Sequence, residues 1–164
     1  MKHLGIAFIA LALLLFSCAT QQERAEQRAK MKLAVAEAIA SRQLHIDIKS
    51  MNSMRYGSRM VTPDFFLELR GDTLRSYLPY LGQVHQAYFP SPSVGLNFQA
   101  PVLQFSESRP KANLSRLTLE VKNQEDLYRY ILELYAHGEA SIRVNSQNRD
   151  PISFDGTLDP SAKK

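Results

Sequence analysis

Hydrophobic positions change their period twice along the chain. Residues 4–16 form an unbroken apolar run behind Lys2 and His3, ending at Ser17-Cys18. A membrane-spanning helix needs about 20 apolar residues, so this run reads instead as a secretory signal: a charged start, a short apolar middle and a small residue before the cut. A helical period follows. Thr20-Gln21-Gln22-Glu23 fits a capping box and predicts a helix start, and no glycine or proline occurs from there to Arg42. Met31, Val35, Ala38 and Ile39 recur at helical spacing, with Leu33 and Ala36 widening the apolar face. Residues before Ala29 lack such a face, which predicts a solvated stalk leading into a docked helix.

From Leu44 the period becomes two. Leu44, Ile46 and Ile48 alternate with His45, Asp47 and Lys49, the pattern of a half-buried strand whose polar face is solvated. Residues 51–60, around Arg55-Tyr56-Gly57-Ser58-Arg59, read as a loop, and Pro63 is expected ahead of the next strand. Gly71-Asp72 is a two-residue hairpin signal. Folding about it sets Leu69 opposite Leu74, Glu68 opposite Arg75, Phe66 opposite Tyr77 and Phe65 opposite Leu78, with Glu68–Arg75 as an ion pair. Pro79 breaks that strand. A short segment at 83–89 and a Pro90-Ser91-Pro92-Ser93 loop come next, then strands at 94–98 and 102–105 around Pro101, and a polar turn at 106–113. Leu117, Leu119 and Val121 mark another strand. Residues 127–137 fit a helix face or a strand. The strand is preferred, because a loop Ala136-His137-Gly138 then pairs Leu134 with Ala140, Leu132 with Ile142 and Tyr130 with Val144. A turn at 145–151 and a strand at 152–156 complete the pattern.

One helix ahead of short antiparallel strands makes an α+β domain, with an N-terminal helix packed on a mostly antiparallel, curved or barrel-like meander sheet. The boundaries are 1–17 for the signal peptide, 18–30 for a lipid anchor and helical stalk, 31–158 for a single domain and 159–164 for a disordered tail.

Composition changes this picture little. Apolar residues make up 45% and charged residues 22%, and the net charge of +4 is spread without a basic run, which argues against nucleic acid as a partner. The one cysteine matters more. Leu15-Phe16-Ser17-Cys18 resembles a bacterial lipobox, in which Cys18 becomes the acylated first mature residue; the competing reading is a free thiol, awkward in an oxidising compartment. Each buried methylene contributes about 0.8 kcal/mol, so three acyl chains hold where one is marginal. Catalytic signals are absent: no G-x-S-x-G elbow, no phosphate loop, and no histidine or cysteine spacing for a metal among His45, His85 and His137. No catalytic residue, metal or cofactor is therefore assigned. The densest aromatic stretch, Tyr77, Tyr80, His85, Tyr88 and Phe89 with Arg70 and Arg75 nearby, reads either as core and turn packing or as a binding surface, the latter formed by Tyr77, Tyr80, His85, Tyr88, Arg70 and Arg75.

Gly71-Asp72, Ser76-Tyr77-Leu78-Pro79-Tyr80-Leu81-Gly82, Gly138-Glu139-Ala140 and Asn148-Arg149-Asp150-Pro151-Ile152-Ser153-Phe154-Asp155-Gly156 resemble an uncharacterised family of Bacteroidetes envelope proteins, domain of unknown function 4251. The resemblance covers residues 38–158. It implies a small secreted protein or lipoprotein and favours the strand at 127–137, but it carries no activity. Outer-surface lipoproteins of that phylum commonly place acidic residues after the cysteine. Ala19-Thr20-Gln21-Gln22 has none, so the periplasmic face of the outer membrane is expected. Two functions follow from different classes: a lipid-anchored, non-catalytic domain binding an envelope protein or glycan, and an envelope hydrolase using a carboxylate such as Asp72 or Asp155. A structural spacer is a third.

Overall fold

A computed structural model describes residues 2–85, 95–124 and 126–161, with residues 2–20 described by backbone alone. Tyr88, Phe89, the Pro90-Ser91-Pro92-Ser93 loop, Val94, the Cys18 side chain and the last residues of the predicted tail lie outside that description. The first element, α1 (Lys2–Ala40), is unbroken. No helix start falls at Thr20, contrary to the capping-box expectation, because nothing between the apolar run and the alanine-rich stretch interrupts helical hydrogen bonding. Residues 21–30 are exposed, and docking begins at Met31. Val35, Ala38 and Ile39 are buried, whereas Leu33 is 70% exposed and Ala36 is also exposed, so the docked stripe is narrower than predicted. The turn after the helix closes at Arg42, which takes a left-handed φ of 51°. Its guanidinium bonds Asp72 at 2.7 Å and lies 4.2 Å over the Phe105 ring, contacts that offset the backbone cost of that conformation.

The strands are β1 (Gln43–Ser53), β2 (Gly57–Met60), β3 (Phe66–Arg70), β4 (Thr73–Leu78), β5 (Leu96–Lys111), β6 (Leu114–Lys122), β7 (Leu127–Tyr135), β8 (Glu139–Ser146) and β9 (Ile152–Leu158). All neighbours are antiparallel, from β3 in sequence order round to β9, and β9 returns to β1. Eight strands thus close a barrel, and β2 adds beside the far half of β1. β1 can serve three partners because it is long: Gln43–Asp47 pair with β3, Ile46–Ser53 with β9, and Ser50–Ser53 with β2. A bulge between Ile48 and Ser50 bends it. Closure also needs Gly156, where an added Cβ would drive into the Asp47 carbonyl oxygen.

Both predicted hairpin registers hold. Phe66↔Tyr77, Glu68↔Arg75 and Leu69↔Leu74 pair across Gly71-Asp72, and Tyr130↔Val144, Leu132↔Ile142 and Leu134↔Ala140 pair across a turn with Gly138 at φ +93°. Residues 127–135 are strand, not helix. Three expectations about strand boundaries fail. The loop at 51–60 is a hairpin of β1 and β2; its exposed Met54, Tyr56 and Met60 gave no burial alternation to read. The strands around Pro101 are one strand, in which the proline stands opposite Thr73, the first residue of β4, and one residue outside the β5–β6 register that begins at Val102↔Val121, where a missing N–H is tolerated. The turn at 106–113 belongs mostly to that strand, whose far end is exposed on both faces and so reads as polar.

Inside the barrel, Tyr128, Tyr130, Phe154 and a shell of leucine and isoleucine are fully buried, each contributing about 1.5–3 kcal/mol. The Tyr130 hydroxyl meets Ser76 Oγ at 3.2 Å, and burial raises its pKa far above the usual tyrosine range.

Candidate functional site

The outer wall has two decorated faces. On β1, β3 and β4 stand His45, Phe66, Glu68, Arg70, Arg75 and Tyr77. His45 stacks on Phe66 at 5.1 Å, Arg75 lies 5.0 Å over the same ring, and Tyr77 packs against Phe65 and Phe66 at 5.4 and 5.7 Å. Glu68 bonds Arg70 at 2.7 Å, not Arg75 as predicted, because Arg75 is occupied by the Phe66 ring. His45, expected to be solvated, keeps only 22% of its side chain exposed. The rings stack on one another, but among the described residues His45 Nδ1 is buried with no hydrogen-bond partner, and Arg75 has the ring contact alone.

Tyr80 and His85, from the same predicted surface, stand elsewhere, at the end of the barrel opposite the helix junction. There segment 79–85 lies along the β8–β9 connection: Val84 bridges Arg149, His85 N donates to the Asn148 carbonyl at 2.7 Å and Asp150 N to the Gln83 carbonyl at 3.0 Å. The Tyr80 hydroxyl donates to the Gln83 carbonyl at 2.9 Å, with the Asp150 carbonyl as a second acceptor at 3.2 Å. Asp150 accepts from Arg55 at 2.7 Å and Gln83 N at 3.1 Å, and sits 3.0 Å from His85 Nε2. The Arg55 hydrogen bond, the Gln83 amide and His85 hold the Asp150 carboxyl below the ordinary aspartate range. The tyrosine-leucine-proline-tyrosine and asparagine-arginine-aspartate-proline stretches therefore meet in a latch across the barrel end.

The second face lies on β5 to β9. Inward Leu117, Leu119 and Val121, Tyr130 and Leu132, Ile142, and Ile152 and Phe154 force their neighbours outward. The ladder aligns these neighbours in rows. Ser106, Thr118, Ile131, Arg143 and Ser153 form the middle row across five strands. On one side Arg116 opposes Glu133, and on the other Glu120 opposes Arg129. Both pairs close: the arginine Nη2 is 2.6 Å, and Nε 3.0 or 3.1 Å, from a single Oε1 of the glutamate. Among the described residues, the second oxygen of each glutamate has no partner. The pairs thus wall a trough of about 810 Å³ whose floor carries serine and threonine hydroxyls, Ile131 and Arg143, with Gln104 and Phe105 also lining it.

The trough can exchange many hydrogen bonds with a hydroxyl-rich ligand. It lacks the settings that make a carboxyl group a proton donor, an apolar wall or a second carboxylate, since Glu120 and Glu133 are each clamped by arginine. Asp72 pairs with Arg42, and Asp155 accepts from Ser50 Oγ at 3.3 Å on the outer face. Neither faces a second acid in a cleft. Among the described residues no group of three or more His, Cys, Asp or Glu side chains gathers to hold a metal ion. Sequence reading missed the trough residues. Alternating charge on β6 and β7 looks like ordinary solvated surface until the β6–β7 register sets each arginine opposite a glutamate.

Fold and trough together define a class: a small closed antiparallel barrel, entered by one helix, with its interior filled and its polar concavity on the outer wall. The chain belongs to the DUF4251 family, a domain of unknown function, whose pattern matches residues 25–158. A crystal structure of a DUF4251 family protein from Bacteroides eggerthii is similar in fold, with a TM-score of 0.62 over 79% of this chain and 87% of that one, at 14% identity. No curated protein matches the chain.

Proposed function

We propose that this protein is a non-catalytic, lipid-anchored domain of the cell envelope that binds an envelope glycan in the β5–β9 trough. The observation that carries the binding half is the middle row of Ser106, Thr118, Ile131 and Ser153 between two ion pairs with unused donors and acceptors. Sugars present hydroxyls on their rims and C–H faces between them, and such a row offers partners for both. The anchoring half is supported by Leu15-Phe16-Ser17-Cys18 and by the exposed helical stretch at 21–30, which suits a spacer between an acylated Cys18 and the barrel. The expected address is the periplasmic face of the outer membrane.

Two experiments test these halves separately. Labelled palmitate is expected in the wild-type protein and not in Cys18→Ala; incorporation in neither would remove the anchor. Immobilised barrel is expected to retain envelope polysaccharide, and Thr118→Leu, which replaces the floor hydroxyl with a bulkier apolar group and adds no charge, to release it. Retention unchanged by that substitution would remove the trough from the account, and enrichment of a protein in place of polysaccharide would redirect it to a protein partner.

A further inference from the structure

Charge inside the trough does not cancel. Arg116, Arg129 and Arg143 line it against Glu120 and Glu133. Arg116 and Arg129 are each taken by a glutamate, whereas Arg143 has no partner among the described residues. Arg143 stands in the middle row, between Ile131 on β7 and Ser153 on β9, and is exposed. A guanidinium presents its N–H donors as a planar fork that matches the two oxygens of a carboxylate. Lone surface arginines are common, but this one lies in a concavity whose remaining charges are already neutralised. An anion entering the trough therefore meets one unsatisfied fork, at a fixed place beside the hydroxyl floor.

We infer that the trough selects a carboxylate-bearing sugar, with the carboxylate on Arg143, the C–H face of the ring on Ile131 and ring hydroxyls on Thr118 and Ser153. This rests on the glycan reading above and adds the ligand's charge to it. Uronic acids and sugars carrying an acidic ether substituent share this chemistry.

The test compares two probes of equal length by calorimetric titration: tetragalacturonate and the same oligomer with its carboxylates reduced to alcohols. The wild-type protein is expected to bind the acidic oligomer at least about tenfold more tightly, the scale of one charge-assisted hydrogen-bonded contact. R143Q is expected to erase that preference while keeping the affinity for the reduced oligomer. R143K, which keeps charge but loses the fork, should fall between. R59Q removes an equal charge from β2, outside the trough, and should change nothing. Equal affinity of the wild type for both oligomers overturns the inference and leaves glycan binding standing. A preference that survives R143Q, or that R59Q diminishes as much, overturns it too, assigning the effect to net charge. If neither oligomer binds, the inference falls, and the glycan reading falls with it only if whole envelope polysaccharide is also not retained.

Discussion

The two outer faces of this barrel share arginine–glutamate pairs and differ in how the residues around those pairs are arranged. On β1, β3 and β4, Phe66 is held between His45 and Arg75, and Glu68 is bonded to Arg70. On β5 to β9, each clamped glutamate has a spare oxygen and Arg143 is unclaimed. The first face is denser in aromatics and arginine, and so is the one that composition points to. Unused polar atoms occur on both: among the described residues His45 Nδ1 is buried without a hydrogen-bond partner, and Glu68, like Glu120 and Glu133, is bonded through one oxygen. The second face gathers its own around the larger concavity, about 810 Å³ against about 190 Å³ beside His45 and Glu68. Abundance of recognition-type residues is thus a weaker guide than the concavity that the residues line.

Substitutions can break or sharpen this contrast. The largest effect is expected where both faces depend on the same closure. Gly156→Ala pushes a methyl group into the Asp47 carbonyl, which cannot rotate away, and should cost about 3 kcal/mol in denaturant titration. Both faces would be lost together. Phe66→Ala should then cost about 2 kcal/mol, because it removes ring contacts to His45 and Tyr77 and the Arg75 contact, without affecting glycan binding. Thr118→Ala should do the reverse, staying within about 0.5 kcal/mol of wild type while weakening binding. A double-mutant cycle on Arg116 and Glu133 should give a coupling of about 0.5 kcal/mol, as expected for a partly exposed pair.

The latch extends the contrast to pH. The Asp150 carboxyl is lowered in the folded state by Arg55, the Gln83 amide and His85. A depressed folded pKa contributes stability that is full above the unfolded value and is lost as pH falls through the folded one. Wild-type stability should therefore decline as pH drops below the ordinary aspartate range, and Asp150→Asn should flatten that decline. Thermal midpoints measured from neutral to strongly acidic pH would check it.

Much of this fold was legible because local chemistry and alternation agree. Gly71-Asp72 and Gly138 mark turns, and Leu132–Ile142 or Leu69–Leu74 match apolar to apolar about them. Barrel closure was not legible. Ile46 meets Leu158 across most of the chain, and neither residue's neighbours encode that register. The far end of β5 was hidden because both its faces are exposed. The family stretches around Tyr80 and Asp150 were recognisable as sequence, but their role as a latch appears only when the two are brought together. The trough was hardest to see, since Arg129 and Glu133 are four apart on one strand and gain their partners from another.

The most direct measurement follows backbone amide resonances of the non-acylated protein as an acidic oligosaccharide, tetragalacturonate, is titrated in. The account predicts progressive shifts at Thr118, Ile131, Arg143 and Ser153, with Glu68, Arg75 and Tyr77 unmoved. Shifts confined to the β1–β3–β4 face, with the trough silent, would contradict it.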